Sequence, residues 1–323
     1  MATDGAGIVG LSSGSRGPRS GMLARLRRSD LWWSFWRTPS AVVSAVALMV
    51  LVAGSFAAPL VAPQDPFDLA TLELSDALLP PAWLEGGTSR YLLGTDGQGR
   101  DVLSAILYGT RTSLVVGVAS VALALVSGLA LGLLAGFLGG FVDAVIMRLA
   151  DVQLSFPAIL VALLIDGVAR TMVPRHLHDS LAFYVLILAI AVSGWVQFAR
   201  TVRGSTMVEK SKEYVQAARV TGVHPGRIMF GHVLPNVMGP VLVIGTIYLA
   251  IAIIIEATLS FLGVGIPATE PSLGTLIRIG SNLLMSGEWW ITLFPSMALA
   301  IIVLAVNLLG DWLRDVLNPK LRT

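Results

Sequence analysis

Residues 213–235 read EYVQAARVTGVHPGRIMFGHVLP, a polar, helix-forming segment set between runs far more apolar than itself. Those neighbours decide the fold. The 323-residue chain is 55% hydrophobic and only 13% charged, with a mean hydropathy of +0.78, beyond what a water-soluble domain carries. A hydrocarbon core about 30 Å thick is crossed by about 20 apolar residues rising about 1.5 Å each. Candidate runs lie at residues 40–62, 113–139, 144–165, 181–200, 237–264 and 290–309. The expectation is an all-α polytopic membrane protein of about six transmembrane helices. The first run is long, lacks a small-residue cleavage site and follows a basic leader, so it is read as a retained span rather than a signal peptide.

Lys and Arg are retained on the cytoplasmic side of a membrane. With the N-terminus inside, the inner segments hold Arg16, Arg19, Arg25, Arg27, Arg28, Arg37, Arg148, Arg200, Arg203, Lys210, Lys212, Arg219, Arg227, Arg314, Lys320 and Arg322. The outer segments hold Arg90, Arg100, Arg111, Arg170, Arg175 and Arg278, and seven acids fall between Asp65 and Asp101. Both termini and residues 213–235 are therefore expected in the cytoplasm. The layout is a cytoplasmic leader (1–39, its first 30 residues Gly, Ser and Arg rich and expected to be disordered), an N-terminal helix (40–62) and an extracytoplasmic loop (63–110). A transmembrane core (111–310) with a cytoplasmic loop at 201–235 follows, and then a cytoplasmic tail (311–323).

Net charge is +2 and the bases sit at membrane flanks, not in a patch interleaved with aromatics, which argues against nucleic acid as a partner and leaves lipid as the medium. Cysteine is absent, so neither a disulfide framework nor a thiolate metal site is possible. No GxxxxGK[ST] run cradles a nucleotide phosphate, and no Ser/His/Asp or paired-carboxylate constellation stands out. His176 and His178 supply two metal ligands, which do not make a site. No metal or cofactor is expected on this chain.

In the loop, LGTDGQGRD at residues 93–101 faintly resembles a cation or anion loop, but its spacing fits neither an EF-hand nor a P-loop. A tight turn whose aspartates cap the next helix is the better reading, with residues 102–108 as an interfacial helix. Gly128, Gly132, Gly136 and Gly140, with Ala124, recur every four residues and leave one helix face without side chains, which invites close helix packing. Polar groups are costly in lipid, so Asp151, Gln153, Asp166, Gln197, Glu256 and Asn307 are noted, with Glu256 and Asn307 kept as candidates for a substrate pathway.

Residues 208–221 contain strong helix formers and no Pro or Gly, and Gly222 is placed to end that helix in a left-handed conformation. Pro225 suits the first turn of a second short helix, and Pro235 is expected to stop it before the next span. Ala217 and Ala218 beside the bend give a low profile that fits a groove on another protein, with Glu213, Arg219 and Arg227 at its rim. The charges are equally compatible with a helix resting on lipid.

The segment resembles the signature loop of permease subunits in bacterial binding-protein-dependent ABC importers, EAA-x3-G-x9-I-x-L-P. Ala217, Ala218, Gly222, Leu234 and Pro235 stand at matching places, while Gln216 replaces the Glu and His232 replaces the Ile. Those departures are similar to the peptide-importer branch, with EYV-x-AA at the start and HxLPN at residues 232–236. LGTDGQGRD with Tyr108 and Gly109, EATLSFLGVGIP at residues 256–267, and NLLGDWLRDVLNPKLR at residues 307–322 resemble the second, C-type permease subunit of dipeptide/oligopeptide importers. The resemblance covers roughly residues 35–320.

It implies five core helices plus one N-terminal helix in a bacterial inner membrane, paired with a homologous second permease. Two cytoplasmic ATPases holding ATP and Mg would engage the signature loops, and an extracytoplasmic binding protein would deliver substrate. The chain would then be a transporter subunit, not an enzyme, working by alternating access. Glu213, Ala217, Ala218, Arg219, Gly222, Leu234 and Pro235 would form the coupling loop. Peptides are the implied cargo, with nickel chelates or another small solute as the alternative. An ion-coupled secondary transporter would need coupling-ion ligands and broken, repeated spans, neither of which is prominent.

Overall fold

The computed structural model describes residues 30–66, 68, 72–267, 270 and 272–317, and among them no strand forms. The first 29 residues, read above as disordered, lie outside this description. The chain runs through α1 (Asp30–Arg37), α2 (Pro39–Phe56), α3 (Val102–Leu138), α4 (Gly140–Leu154), α5 (Ala158–Met172), α6 (His178–Glu209), α7 (Glu213–Val220), α8 (Pro225–Ile228), α9 (Leu234–Phe261), α10 (Leu273–Ser281) and α11 (Trp290–Leu317). Five helices are long and apolar enough to cross a membrane unbroken, counting Pro225–Phe261 as one, and the pair α4 and α5 makes up to six. The first residues of the expected tail, 311–317, continue α11, and the rest of that tail lies outside the described residues.

The α4–α5 pair replaces the straight third span expected at residues 144–165. Its two helices meet at 93°. Pro157 donates no backbone N–H and disfavours helical geometry at Phe156, so the chain bends through Ser155–Pro157 and restarts at Ala158.

Residues 102–108 likewise are no separate interfacial helix. They open the 37-residue α3, about 55 Å long at 1.5 Å per residue. The start of α3 is fixed by Asp101, whose Oδ2 accepts from Ser104 N at 2.8 Å and Ser104 Oγ at 2.5 Å. Just before it, Asp96 accepts from Gln98 N at 2.8 Å, Arg100 N at 3.0 Å and Arg100 Nε at 2.7 Å, with both side chains of the ion pair 5% exposed. The aspartates of LGTDGQGRD therefore make a turn and a cap, and Arg100 takes the place a cation would need. Trp290 Nε1 donates to Thr95 O at 3.1 Å and pins this loop to the head of α11.

The glycine row works as a seam between α3 and α6. A Cβ at Gly128 would sit 2.5 Å from Phe198 Cβ, one at Gly132 2.5 Å from Ala199 O, and one at Gly136 2.8 Å from Thr206 Cβ. Gly140 leaves the row, because the helix has already broken at Gly139 and Gly140, with φ of 70° and 55°. One apolar core lies among α3, α6 and α9; a second joins α10 and α11 to the start of α3, with α2 packed outside. Phe35 of α1 meets Trp312 of α11 edge to face at 5.3 Å, which sets the N-terminal helix against the far end of the last span.

Candidate functional site

The last turns of α6 form the platform. Arg203 pairs with Asp143 of α4, Nη2 to Oδ2 at 2.7 Å, and Arg200 with Asp151 at 2.5 Å. Lys210 Nζ donates to Gly136 O at 2.6 Å, closing the end of α3. This basic end of the bundle is thus laced together before the chain turns at Lys210–Lys212.

The short helix α7 begins at Glu213, later than position 208, where the sequence pattern placed its start; residues 208 and 209 still belong to α6. Its eight residues are too few to be stable alone in water. Four attachments hold them. Val215 is fully buried in the core cluster that holds Ile228 and Val233. Gln216 Nε2 donates to Lys210 O at 2.9 Å, satisfying a free carbonyl at the end of α6. A glutamate at position 216 has no hydrogen to give there, which accounts physically for the amide at the place where the signature loop carries Glu. Arg219 lies over the Phe137 ring at 5.7 Å. Tyr214 makes the fourth attachment. Its hydroxyl donates to Glu209 Oε1 and accepts from Asn236 Nδ2 at 3.1 Å, and its ring stacks on His232 at 6.5 Å and 28°. Desolvation, then the Glu209 carboxylate, push the phenol up to about 12, so it stays protonated at neutral pH.

Gly222 ends α7 as the sequence required. Its φ is 78°, its N–H donates to Arg219 O at 3.0 Å, and Val223 N–H donates to Ala218 O at 3.0 Å. Those paired bonds are a Schellman closure, which needs a left-handed residue. His224 then caps α8, its Nδ1 accepting from Gly226 N at 3.2 Å, with Pro225 in the first turn.

Pro235 does not stop this second piece, contrary to expectation. A π-helical turn, Met229–Val233, carries α8 into α9 without a break. The wider turn changes the hydrogen-bond ladder just where Pro235 offers no N–H. The prolines at 225 and 235 are thereby both accommodated in one continuous rod.

The structure sorts the sequence-predicted residues. Glu213, Ala217 and Gly222 are exposed on the outer side of α7 and its bend, with Val220 beside them 88% exposed; Arg219 is exposed too, but on the flank that meets Phe137. Ala218 is half-buried against the core, and Leu234 packs there too, while Pro235 is exposed at the head of α9. Sequence reasoning assigned no role to Tyr214, Glu209 or Asn236, although the motifs at residues 213–218 and 232–236 contain the first and last of them; for Glu209 the available signal was its salt-bridge spacing to Lys212, Oε2 to Nζ at 2.7 Å.

The pathway candidates separate. Glu256 is fully buried where α9 meets α3 and α10, accepting from Ser260 Oγ at 2.8 Å, and Asn307 is half-buried in α11. Neither lines the cleft of about 430 Å³ that opens where α4 and α5 bend away from α6 and α9. Gln153, Ser193, Gln197 and Tyr248 contribute its polar groups among isoleucines, and no charged side chain lines it among the described residues. Gln153 is fixed by a bond from Trp195 Nε1 at 2.6 Å and another to Val192 O; Gln197 is exposed in mid-helix. His178 Nε2 donates to Val173 O at 2.8 Å. Among the described residues no group of three or more His, Cys, Asp or Glu is gathered in metal-binding fashion.

Residues 128–323 match the family described as binding-protein-dependent transport system inner membrane component, a range that includes the whole of α7, its bend and α9. The chain belongs to this family. Residues 27–81 of this transport component also match the N-terminal TM domain of oligopeptide transport permease C. It is 38% identical over 294 residues to the di/tripeptide transport system permease protein DppC of Pseudomonas aeruginosa, covering 91% of this chain and 92% of that one. The dipeptide transport system permease proteins DppC of Haemophilus influenzae and Escherichia coli K12 are each 38% identical, over 293 and 296 residues, with 95% and 93% of their lengths covered.

Proposed function

We propose that the chain is the C-type permease subunit of an ATP-driven, binding-protein-dependent importer of dipeptides or oligopeptides in a bacterial inner membrane. The observation that carries this reading is α7: a short helix with a low, exposed Ala217 face, held to the ends of α6 and α9, in a chain of the transport family. The names of the similar permeases support peptide as cargo. The basic end faces the cytoplasm in this account, with both termini there, and the acidic loop at residues 63–101 faces outward toward the binding protein.

A homologous second permease completes the route, and the bend that opens the Gln153 and Gln197 cleft provides this subunit's share of it. Two cytoplasmic ATPases bind ATP and Mg and hydrolyse it; this chain does no chemistry of its own. Closure of the ATPase pair pushes the outer face of α7, and the spans rock between inward and outward access as two global states.

The test is reconstitution of this chain with its co-purifying second permease, ATPases and binding protein in vesicles. ATP-dependent accumulation of a labelled dipeptide, abolished by a non-hydrolysable ATP analogue, is expected. Accumulation of a nickel chelate instead of dipeptide, or of neither, contradicts the peptide reading.

A further inference from the structure

We infer that the Tyr214 hydroxyl is the pin through which displacement of α7 reaches both α6 and α9. This assignment rests on the importer reading for its functional meaning, but the mechanical linkage stands on the structure's own hydrogen bonds.

The covalent links alone do not fix α7. It joins α6 through Lys210–Lys212 and joins α8 through the turn at residues 221–224, so that a push on its outer face would swing it on two hinges. Side chains must carry the load. Val215 provides a non-directional apolar anchor. Gln216 ties α7 to the end of α6 alone, whereas the directional bonds that reach both α6 and α9 meet at one oxygen. The phenol gives its single proton to Glu209, the last residue of α6, and accepts one from Asn236 in the first turn of α9. Asn236 also donates to His232 O at 2.7 Å, and the second Glu209 oxygen takes Lys212 Nζ at 2.7 Å. The other acceptor near the phenol is that same His232 O, 3.4 Å away and neutral, so the proton goes to the nearer, charged Glu209 carboxylate. The Glu209 side chain is only 8% exposed, which shields the acceptor end of this bond, while Tyr214 is 40% exposed. The circuit spans the end of one transmembrane helix, the short helix and the start of another. The π turn makes α8 and α9 one rod, so a force delivered at Asn236 enters a continuous helix.

Tyr214→Phe removes the shared oxygen and keeps the ring that stacks on His232. In the assembled importer the expected result is normal assembly and ATP hydrolysis, with peptide imported per ATP hydrolysed down about tenfold, the scale of one charge-assisted hydrogen bond. Asn236→Leu is expected to show part of the same defect, and the double variant to fall less than the product of the two, because both act on one circuit. Glu209→Gln, which still offers the phenol an acceptor, is expected to retain more coupling than Glu209→Leu. The linkage itself is read in the purified chain without substrate: backbone hydrogen exchange across residues 215–220 should speed up about tenfold in Tyr214→Phe, with the mid-span amides of α6 and α9 unchanged. Unchanged exchange in α7 overturns the inference whatever the cargo proves to be. So does an unchanged import-to-hydrolysis ratio, or a loss of import that merely tracks loss of assembled complex. A parent complex that takes up no peptide contradicts the proposed function and leaves the exchange result to judge the pin.

Discussion

Ala217 presents one methyl group at the exposed middle of α7, and Ala218 turns its own methyl toward the core. A large side chain at 217 therefore obstructs whatever approaches α7, whereas one at 218 also disturbs internal packing. Ala217→Trp is expected to lower ATP-driven import at least tenfold at normal expression and unchanged melting temperature; import at parental levels would count against this face as the docking surface. Ala218→Trp, the more obvious choice from the motif, is expected to lower melting temperature as well, since overpacking costs about 1–3 kcal/mol. The motif points to the pair of alanines. It does not say which one faces out, because that depends on where α7 begins, and its start is set by the Glu209 and Tyr214 contacts rather than by helix propensity. Gln216 is legible in the sequence only as a departure from the motif, its reason being the Lys210 carbonyl that the fold brings beside it.

At the scale of elements, the seam of α3 and α6 is the part most plainly written in the chain: Gly128, Gly132 and Gly136 at four-residue spacing leave room only for a backbone. Gly132→Leu is expected to lower the melting temperature in detergent markedly, because Ala199 O and Val202 Cβ lie 2.5 and 2.7 Å from where its Cβ would stand. Gly204→Ala, with nothing within 4 Å, is the matched control and should melt as the parent does. Equal melting of the two variants would mean that the seam does not hold the bundle. Two elements are harder to read. Hydropathy sees residues 144–165 as a single run because it ignores the backbone restriction that Pro157 imposes, and it gives no weight to the π turn that lets Pro235 ride inside a rod. The loop at residues 93–101 is legible as turn and cap, since an aspartate followed three residues later by a serine needs only local bonds, here Asp101 to Ser104.

For the whole molecule, the proposed orientation puts the basic end in the cytoplasm, and the absence of native cysteine makes that directly measurable. Thr221→Cys and Glu85→Cys lie at exposed positions at opposite ends of the bundle. In intact cells an impermeant maleimide is expected to label Glu85→Cys and to spare Thr221→Cys until the membrane is permeabilised; the reverse pattern would invert the topology. The sequence carried the helical class, the five unbroken spans and the family resemblance because each rests on local pattern. It did not carry the cleft or the Tyr214 circuit, which exist only once α4, α5, α6 and α9 are brought together. The most direct measurement of docking at α7 replaces Ala217 with a photo-crosslinking amino acid in the assembled complex, with the same residue at exposed Val118 as reference. The expected result is an adduct between position 217 and a nucleotide-hydrolysing subunit, with only lipid adducts at 118. Lipid adducts at both positions would contradict it.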